Sequence, residues 1–389
     1  MRTRQLALLF LCSLVGAIFS NGLMPLLPVY AARLGADPGV TGYYLAFCFL
    51  TLAVGAITAG WLSDKFQHRK LMLIIVPIGI MPAVWMMGRA TQLWHLVALT
   101  ATVWLLAGMG LALLSILASL SVAKEARGKV FGILGLTNGL GALIGGGITG
   151  LLVDHWGYAT LFTVLTLLFI PRIVAAFFLE DKVVAPAPAL QTPKAQASVR
   201  LGRDFYLLFG ASLAAAVVSY MGMLVRSLAM DQRGFAAAAI SSTVAVAGVV
   251  TLPVGLTIGA LSDRLGRKPF LIMSNLVAVA GMLLLMASAS LWQFWVAVSL
   301  LFVTGSVATS VGSALATDLV SPSKRGRGMS LFSVANYVGG IVGFGITGYA
   351  VQTLGMSATI LLGAGLPLVA IALLLPLRQP GSVATAPAS

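Results

Sequence analysis

Acidic residues are scarce in this chain: ten Asp and Glu in 389 residues, against 24 Lys and Arg. Asp37, Asp64, Glu125, Asp154, Glu180, Asp181, Asp204, Asp231, Asp263 and Asp318 all fall between long apolar runs or at their ends. The interiors of the runs therefore carry no carboxylate, the group that most often relays protons or binds cations at membrane depth. Histidine is rarer still, with only His68, His95 and His155, again near run ends. The two cysteines, Cys12 and Cys48, lie inside apolar runs, where packing is their ordinary role; they build neither a disulfide framework nor a metal site. A nucleotide-binding glycine loop is also missing. With no acid paired to a histidine at membrane depth, the chain offers no enzyme constellation, and neither a cofactor nor ATP-driven pumping is expected; an intramembrane enzyme is a remote alternative.

Apolar length is what the chain has in abundance. Hydrophobic residues make up 59% and charged residues 9%, where a soluble domain carries roughly 25% charged residues. A helix needs about 20 apolar residues to cross a bilayer. Twelve runs meet that length, near 6–31, 39–62, 71–89, 94–120, 129–153, 158–179, 205–230, 237–262, 270–288, 292–318, 328–352 and 356–377. Lipid leaves helices as the only reading of such runs, because it cannot satisfy an open backbone, and the alternating pattern of barrel strands is missing. The first run is too long for a signal-peptide core. Trp94, Trp156, Tyr158, Trp292 and Trp295 at run ends read as interfacial anchors.

The net charge of +14 would suggest nucleic acid in a soluble protein, but here its distribution excludes that partner. If the runs cross alternately, one side collects 19 of the 24 cations and the other three: Arg33, Arg89 and Arg233. The positive-inside rule then places both termini and the basic loops in the cytoplasm, at a plasma membrane or bacterial inner membrane. The lipid bilayer is the expected partner, and a monomer the expected unit.

The chain is duplicated. Gly60-Trp-Leu-Ser-Asp-Lys-Phe-Gln-His-Arg-Lys70 returns as Gly259-Ala-Leu-Ser-Asp-Arg-Leu-Gly-Arg-Lys268 between equivalent runs. Arg325 follows Arg127 by 325 − 127 = 198 residues, and the same offset joins Asn138 to Asn336 and Gly145-Gly-Gly-Ile-Thr-Gly150 to Gly343-Phe-Gly-Ile-Thr-Gly348. Residues 180–204, a mixture of Pro, Ala and charge, read as a cytoplasmic linker between 1–179 and 205–378, with 379–389 a disordered tail. Six spans per half put both halves in the same orientation, giving parallel repeats about an axis along the membrane normal.

Over essentially its whole length the chain resembles the major facilitator superfamily, whose signature loop is Gly-x-Leu-x-Asp-Arg-x-Gly-Arg-Lys. The resemblance implies an all-α membrane fold of twelve helices in two six-helix pseudo-repeats. It also implies transport of a small-molecule substrate by alternating access around a central site lined by spans one, four, seven and ten. The loops are expected to act as a conformational latch built from Gly60, Asp64, Arg69, Gly259, Asp263, Arg267 and Asp318. A carboxylate at a helix C-terminus opposes the dipole unless a cation answers it, and Gly60 and Gly259 would let helices approach closely. The C-terminal copy is expected to form a triad with Asp318 at the end of span ten, whereas the N-terminal copy carries Gln67, His68 and, at the matching position, Leu120. Topology alone would also account for the cations.

Cavity candidates are the polar groups inside spans: Asn21, Trp104, Asn138, Tyr220, Arg226, Asn336 and Tyr337. Arg226, near the non-cytoplasmic end of span seven, is expected to face an anionic group, to pair with Asp231 or Asp37, or to snorkel to the interface. Arg172, in span six, is expected to snorkel. Asn138 and Asn336 need partners, in a neighbouring helix or a substrate. Met109, Met221 and Met223 suit an adaptable apolar pocket. Gly141, Gly145, Gly150, Gly343 and Gly348, with Gly135, Gly139 and Gly339, recur at the small-xxx-small spacing of close helix contacts. Gating hinges are the alternative.

Proton-coupled exporters of the superfamily carry an acid in span one, an Arg in span four and a Gly-Pro pair in span five. This chain has Asn21, Trp104 and Gly145-Gly146, so protons are doubtful as a coupling ion. The expected function is efflux of a small amphipathic or anionic compound. Uptake or facilitated diffusion of a metabolite is the second reading, and a non-transporting receptor the third.

Overall fold

The computed structural model describes residues 3–66, 68–121, 127–180, 201–321 and 325–377. Most of the predicted linker and all of the predicted tail lie outside the described residues. Among the described residues thirteen helices follow one another: α1 (Thr3–Leu23), α2 (Leu27–Arg33), α3 (Pro38–Phe66), α4 (Arg69–Met87), α5 (Leu93–Leu120), α6 (Arg127–Leu167), α7 (Phe169–Phe177), α8 (Arg203–Gln232), α9 (Ala237–Leu265), α10 (Arg267–Ala287), α11 (Leu291–Leu319), α12 (Arg325–Leu354) and α13 (Met356–Leu374). Eleven helical stretches among the described residues are long and apolar enough to cross a membrane, and one of them, Val130–Phe177, is 48 residues long. At about 1.5 Å per residue that stretch is twice a crossing. Gly157 divides it, with φ 77° and ψ 174°, a left-handed backbone that only glycine adopts without strain. Gly355, 198 residues later, turns the chain from α12 into α13 with φ 84°. The repeat thus conserves its turns as well as its runs, and the eleven stretches resolve into the twelve expected spans. The first predicted span ends earlier than expected, broken after Leu23 and resumed as α2, whose Pro28 sits in the first turn.

The two sets of helices, α1–α7 and α8–α13, meet along α3 with α12 and α6 with α9. The meeting is confined to one face. Gly42 of α3 lies against Gly348 of α12 so closely that a Cβ on Gly42 would stand 2.6 Å from the Gly348 Cα. Asp154 of α6 accepts hydrogen bonds from the backbone N–H of Ala237 at 3.0 Å and of Ala238 at 2.8 Å, capping the N-terminus of α9. On the same face the Gln352 amide of α12 donates to Asp37, 3.3 Å away, whose other oxygen caps α3 by accepting Val40 N–H at 2.7 Å. Gln352 is the repeat mate of Asp154. One continuous apolar core runs through this seam, from Leu9 and Phe19 of α1 to Val225 of α8, Phe294 of α11 and Phe344 of α12. A second, around Phe205, Val311 and Leu315, belongs to the second half alone.

At the opposite end, where the motif loops lie, the halves separate. A Cβ on Gly60, Gly132, Gly135 or Gly259 would meet nothing within 4 Å. The expectation that Gly60 and Gly259 bring helices together is therefore corrected: in this conformation both face open space. Large apolar side chains such as Ile57, Ile75, Leu111, Leu276 and Leu361 are exposed, as lipid-facing positions of a membrane bundle are.

Candidate functional site

Between the halves, open toward the motif loops, lies a cavity of about 900 Å³. Its walls come from α1, α6, α8, α9, α11 and α12. Spans one, seven and ten contribute as expected, but span four, here α5, contributes none of the lining. The cause is local. Gly108 of α5 sits against the Leu52 carbonyl of α3, and Gly110 sits beside the Arg172 guanidinium, so α5 is drawn into the first half. Trp104 goes with it: 5% exposed, it packs on Phe19 at a ring separation of 6.2 Å and lines neither this cavity nor its neighbour. Tyr337, half-buried, is also absent from both linings.

The other polar candidates converge. Asn21 Nδ2 donates to Asn138 Oδ1 at 2.9 Å and to the Ala17 carbonyl at 3.0 Å. The Tyr220 hydroxyl donates to Asn336 Oδ1 at 2.6 Å. Tyr220 stands 199 residues after Asn21 and Asn336 stands 198 after Asn138, so the two bonds are one contact made twice, span one to five and span seven to eleven. Both asparagines therefore have helix partners and keep their amide –NH2 groups free for the cavity, on which both side chains open. Sequence reading missed the hydroxyls on the second-half wall, Ser212, Ser219, Ser306 and Ser313 among them. Serines at spacings of three, four and seven on α11 mark one helix face, which is the signal that would have found them. Several of these hydroxyls are spent on their own helix: Ser219 donates to Ala215 O at 2.9 Å, Ser310 to Ser306 O at 2.8 Å and Ser313 to Ser310 O at 3.0 Å.

Arg226 is the exception to this local satisfaction. It is 1% exposed, and none of its three guanidinium nitrogens has a hydrogen-bond partner among the described residues. It lines the large cavity and also a small space of about 150 Å³ behind it, shared with Asn21, Asn138 and Tyr220. Neither expected acid reaches it. Asp37 is engaged by Val40 and Gln352, and Asp231 sits in the field of Arg33. Snorkelling is excluded by the same burial. Arg172 does not snorkel either: 5% exposed, it is wedged between Gly16 of α1 and Gly110 of α5, and its carbonyl accepts a bond from the Cys12 thiol at 3.7 Å.

The motif loops differ between the halves. In the second, Arg267 donates to Asp263 at 3.0 Å and to Asp318, joining the ends of α9, α10 and α11. Lys268 adds bonds to the Leu375 and Leu377 carbonyls at 2.6 and 3.0 Å, which ties in the end of α13. In the first, Arg69 donates to Ser63 at 2.8 Å, and Lys65 lies over the Trp61 ring at 4.8 Å. Asp64 is exposed, with no hydrogen bond or ion pair among the described residues. Gln67 lies outside the described residues. The packing glycines make close contacts: Gly141 and Gly145 meet α1 at Ala17 and Ile18, Gly150 meets α9 at Ala238, Gly343 meets α8 at Val217, and Gly348 meets α3 at Gly42. Among the described residues no group of His, Cys, Asp and Glu is arranged to hold a metal ion.

The chain is matched over residues 9–256 and 207–389 by the family model described as Major Facilitator Superfamily. Among curated proteins, it is 30% identical over 352 residues to the "Multidrug resistance protein MdtG" of Proteus mirabilis (strain HI4320), covering 86% of this chain and 85% of that protein. It is 28% identical over 358 residues to the protein of the same name from Salmonella choleraesuis (strain SC-B67), with 86% of each covered. Among solved structures, the nucleoside transporter NupG superposes with a TM-score of 0.76 at 15% identity, over 96% of this chain and 99% of that one. A bacterial homologue of the human lysosomal transporter Spinster, in an inward-facing and occupied conformation, gives 0.69 at 15% identity over 95% of both.

Proposed function

The chain belongs to the major facilitator superfamily, and from that premise we propose that it exports small amphipathic organic compounds from the cytoplasm. It is a multi-pass membrane transporter; the direction, the compound and the orientation are the proposal. The observation that carries it is the cavity of about 900 Å³, apolar over most of its wall and open on the face where the basic loops cluster. By the charge rule that face is cytoplasmic. The conformation is then the one that loads from the cytoplasm, with both termini there, in an inner membrane. The relatives named for multidrug resistance support export over uptake. The protein is proposed to act as a monomer, since each monomer holds a complete cavity between its own halves.

Everted membrane vesicles test the reading, because an exporter fills them. A neutral, an anionic and a cationic fluorescent naphthalene are offered in parallel to vesicles with and without the protein. Accumulation of at least one above the control is expected. Equal accumulation of all three in both kinds of vesicle would overturn export.

A further inference from the structure

Arg226 has no hydrogen-bond partner among the described residues. Among the described residues lining the two spaces it carries the only formal charge. A buried cation without a counter-ion is costly, and natural proteins compensate it with a charge or a ligand. The fold does not require the cation. At 199 residues earlier the repeat mate is Leu27, an apolar side chain that is fully buried. The duplication therefore supplies its own control: the same place in the other half is built without charge.

Besides Arg226, two amides on the cavity wall are donors. The bonds that hold Asn138 and Asn336 use their oxygens and leave their –NH2 groups unspent. Ser219, Ser310 and Ser313 have committed their hydrogens to backbone carbonyls and offer only lone pairs, so among these groups the donors are the two amides and the guanidinium. Arg226 and Asn138 border the small space together, while Met24, Phe49 and Phe302 complete it with apolar surface. About 150 Å³ suits a carboxylate, sulfonate or phosphate ester head, and a planar guanidinium binds such oxyanions bidentately. The larger space beyond, bounded by Phe131, Leu252 and Phe332, suits an apolar body.

We propose that the small space is an oxyanion head-group site with Arg226 as its counter-ion, and that the exported compound is an amphipathic organic monoanion. One cation and no acid leave room for one negative charge. A cationic compound would place like charges together in a site of low polarity. The word "exported" rests on the reading above, but the anion site stands on binding alone.

The test is binding to the full chain in zwitterionic nanodiscs, without any gradient. Naphthalene sulfonate, permanently anionic, is compared with the neutral naphthalene sulfonamide. Wild-type protein is expected to bind the sulfonate at least tenfold more tightly. Arg226→Met should abolish that preference and Arg226→Lys keep part of it. Arg226→Met should also melt at or above the wild-type temperature without ligand, because it removes an unpaired buried charge. A lower melting temperature would mark Arg226 as a structural cation and overturn the assignment. So would equal affinities in the wild type, no sulfonate binding, or a preference that survives Arg226→Met. Phosphatidylglycerol added to the nanodiscs separates the sources of the oxyanion. Unaltered sulfonate binding supports a free solute, whereas displacement would make this a lipid site and overturn the solute proposal. Loss of vesicle accumulation with intact sulfonate preference would remove export and leave the anion site standing.

Discussion

Asp263, Arg267 and Asp318 show how a single guanidinium can serve two helix ends. Carboxylates at the C-terminal ends of α9 and α11 face the negative pole of each helix, and Arg267 at the start of α10 answers both. The groups are partly exposed, so each pair is worth about 1 kcal/mol or less. The network nevertheless joins three helices, which one pair could not do. In the first half, among the described residues, Arg69 has only the Ser63 hydroxyl, and Asp64 faces solvent. Asp263→Asn and Asp318→Asn are therefore expected to slow transport about fivefold, the factor for roughly 1 kcal/mol. His68→Ala and Asp64→Asn should change it by less than about twofold. Initial rates of accumulation in proteoliposomes decide the matter, and equal losses in the two halves would rule out the asymmetry.

At the scale of helices, two kinds of close contact have different consequences. Gly145 of α6 touches α1 within the first half, where an added Cβ would stand 3.1 Å from the Gly22 Cα and nearer still to the Ile18 carbonyl. Gly348 of α12 touches α3 across the seam, where an added Cβ would stand 2.6 Å from the Gly42 Cα. Backbone cannot give way as a side chain can. Gly145→Ala is expected to lower the melting temperature without changing which face is open, while Gly348→Ala should part the halves on the sealed face. Asp154→Ala should act in the same direction as Gly348→Ala. It removes two carboxylate–amide bonds to α9, worth about 2 kcal/mol as a helix cap, or roughly a thirtyfold shift between conformations. Spin labels at Trp156→Cys and Trp292→Cys, one exposed on each half, report the opening as a longer distance; the native Cys12 and Cys48 are buried. An unchanged distance distribution in Asp154→Ala would show that the cap does not hold the seam. The spans, the duplication and the contacts of Gly141, Gly145, Gly150, Gly343 and Gly348 were legible in the sequence from hydrophobic length, repeat offset and small-residue spacing, whereas those expected of Gly60 and Gly259 were not. The seam was not, since Asp154 pairs with a backbone 83 residues away and Gln352 with Asp37, 315 residues away. Asn21 and Asn138 were legible as polar groups in apolar helices, but not as each other's partner. Trp104 misled for the same reason: its direction depends on how Gly108 and Gly110 pull α5 toward α3 and Arg172, which no single-helix pattern reveals.

For the molecule as a whole, the missing acids bear on the source of energy. A carrier that couples to protons needs a group that takes up a proton in one conformation and releases it in the other. Among the described residues neither space between the halves is lined by Asp, Glu or His. If the cargo is a monoanion bound to Arg226, no such group is required. The returning empty carrier keeps its arginine charge, and the loaded one is neutral at that site. One turnover then moves one negative charge outward. A cell interior that is electrically negative favours this by about 2.3 kcal/mol for each 100 mV, roughly fiftyfold in the gradient of solute that can be sustained. Proteoliposomes carrying naphthalene sulfonate separate the two sources of energy. A potassium diffusion potential set with valinomycin, negative on the side of the basic loops, is expected to drive sulfonate toward the opposite side and to reverse that flux when its sign is reversed. A pH difference of one unit at zero potential should leave the rate unchanged. Acceleration by the pH step with indifference to the potential would place a proton in the cycle, and a proton-binding group would then have to be sought outside the cavity wall.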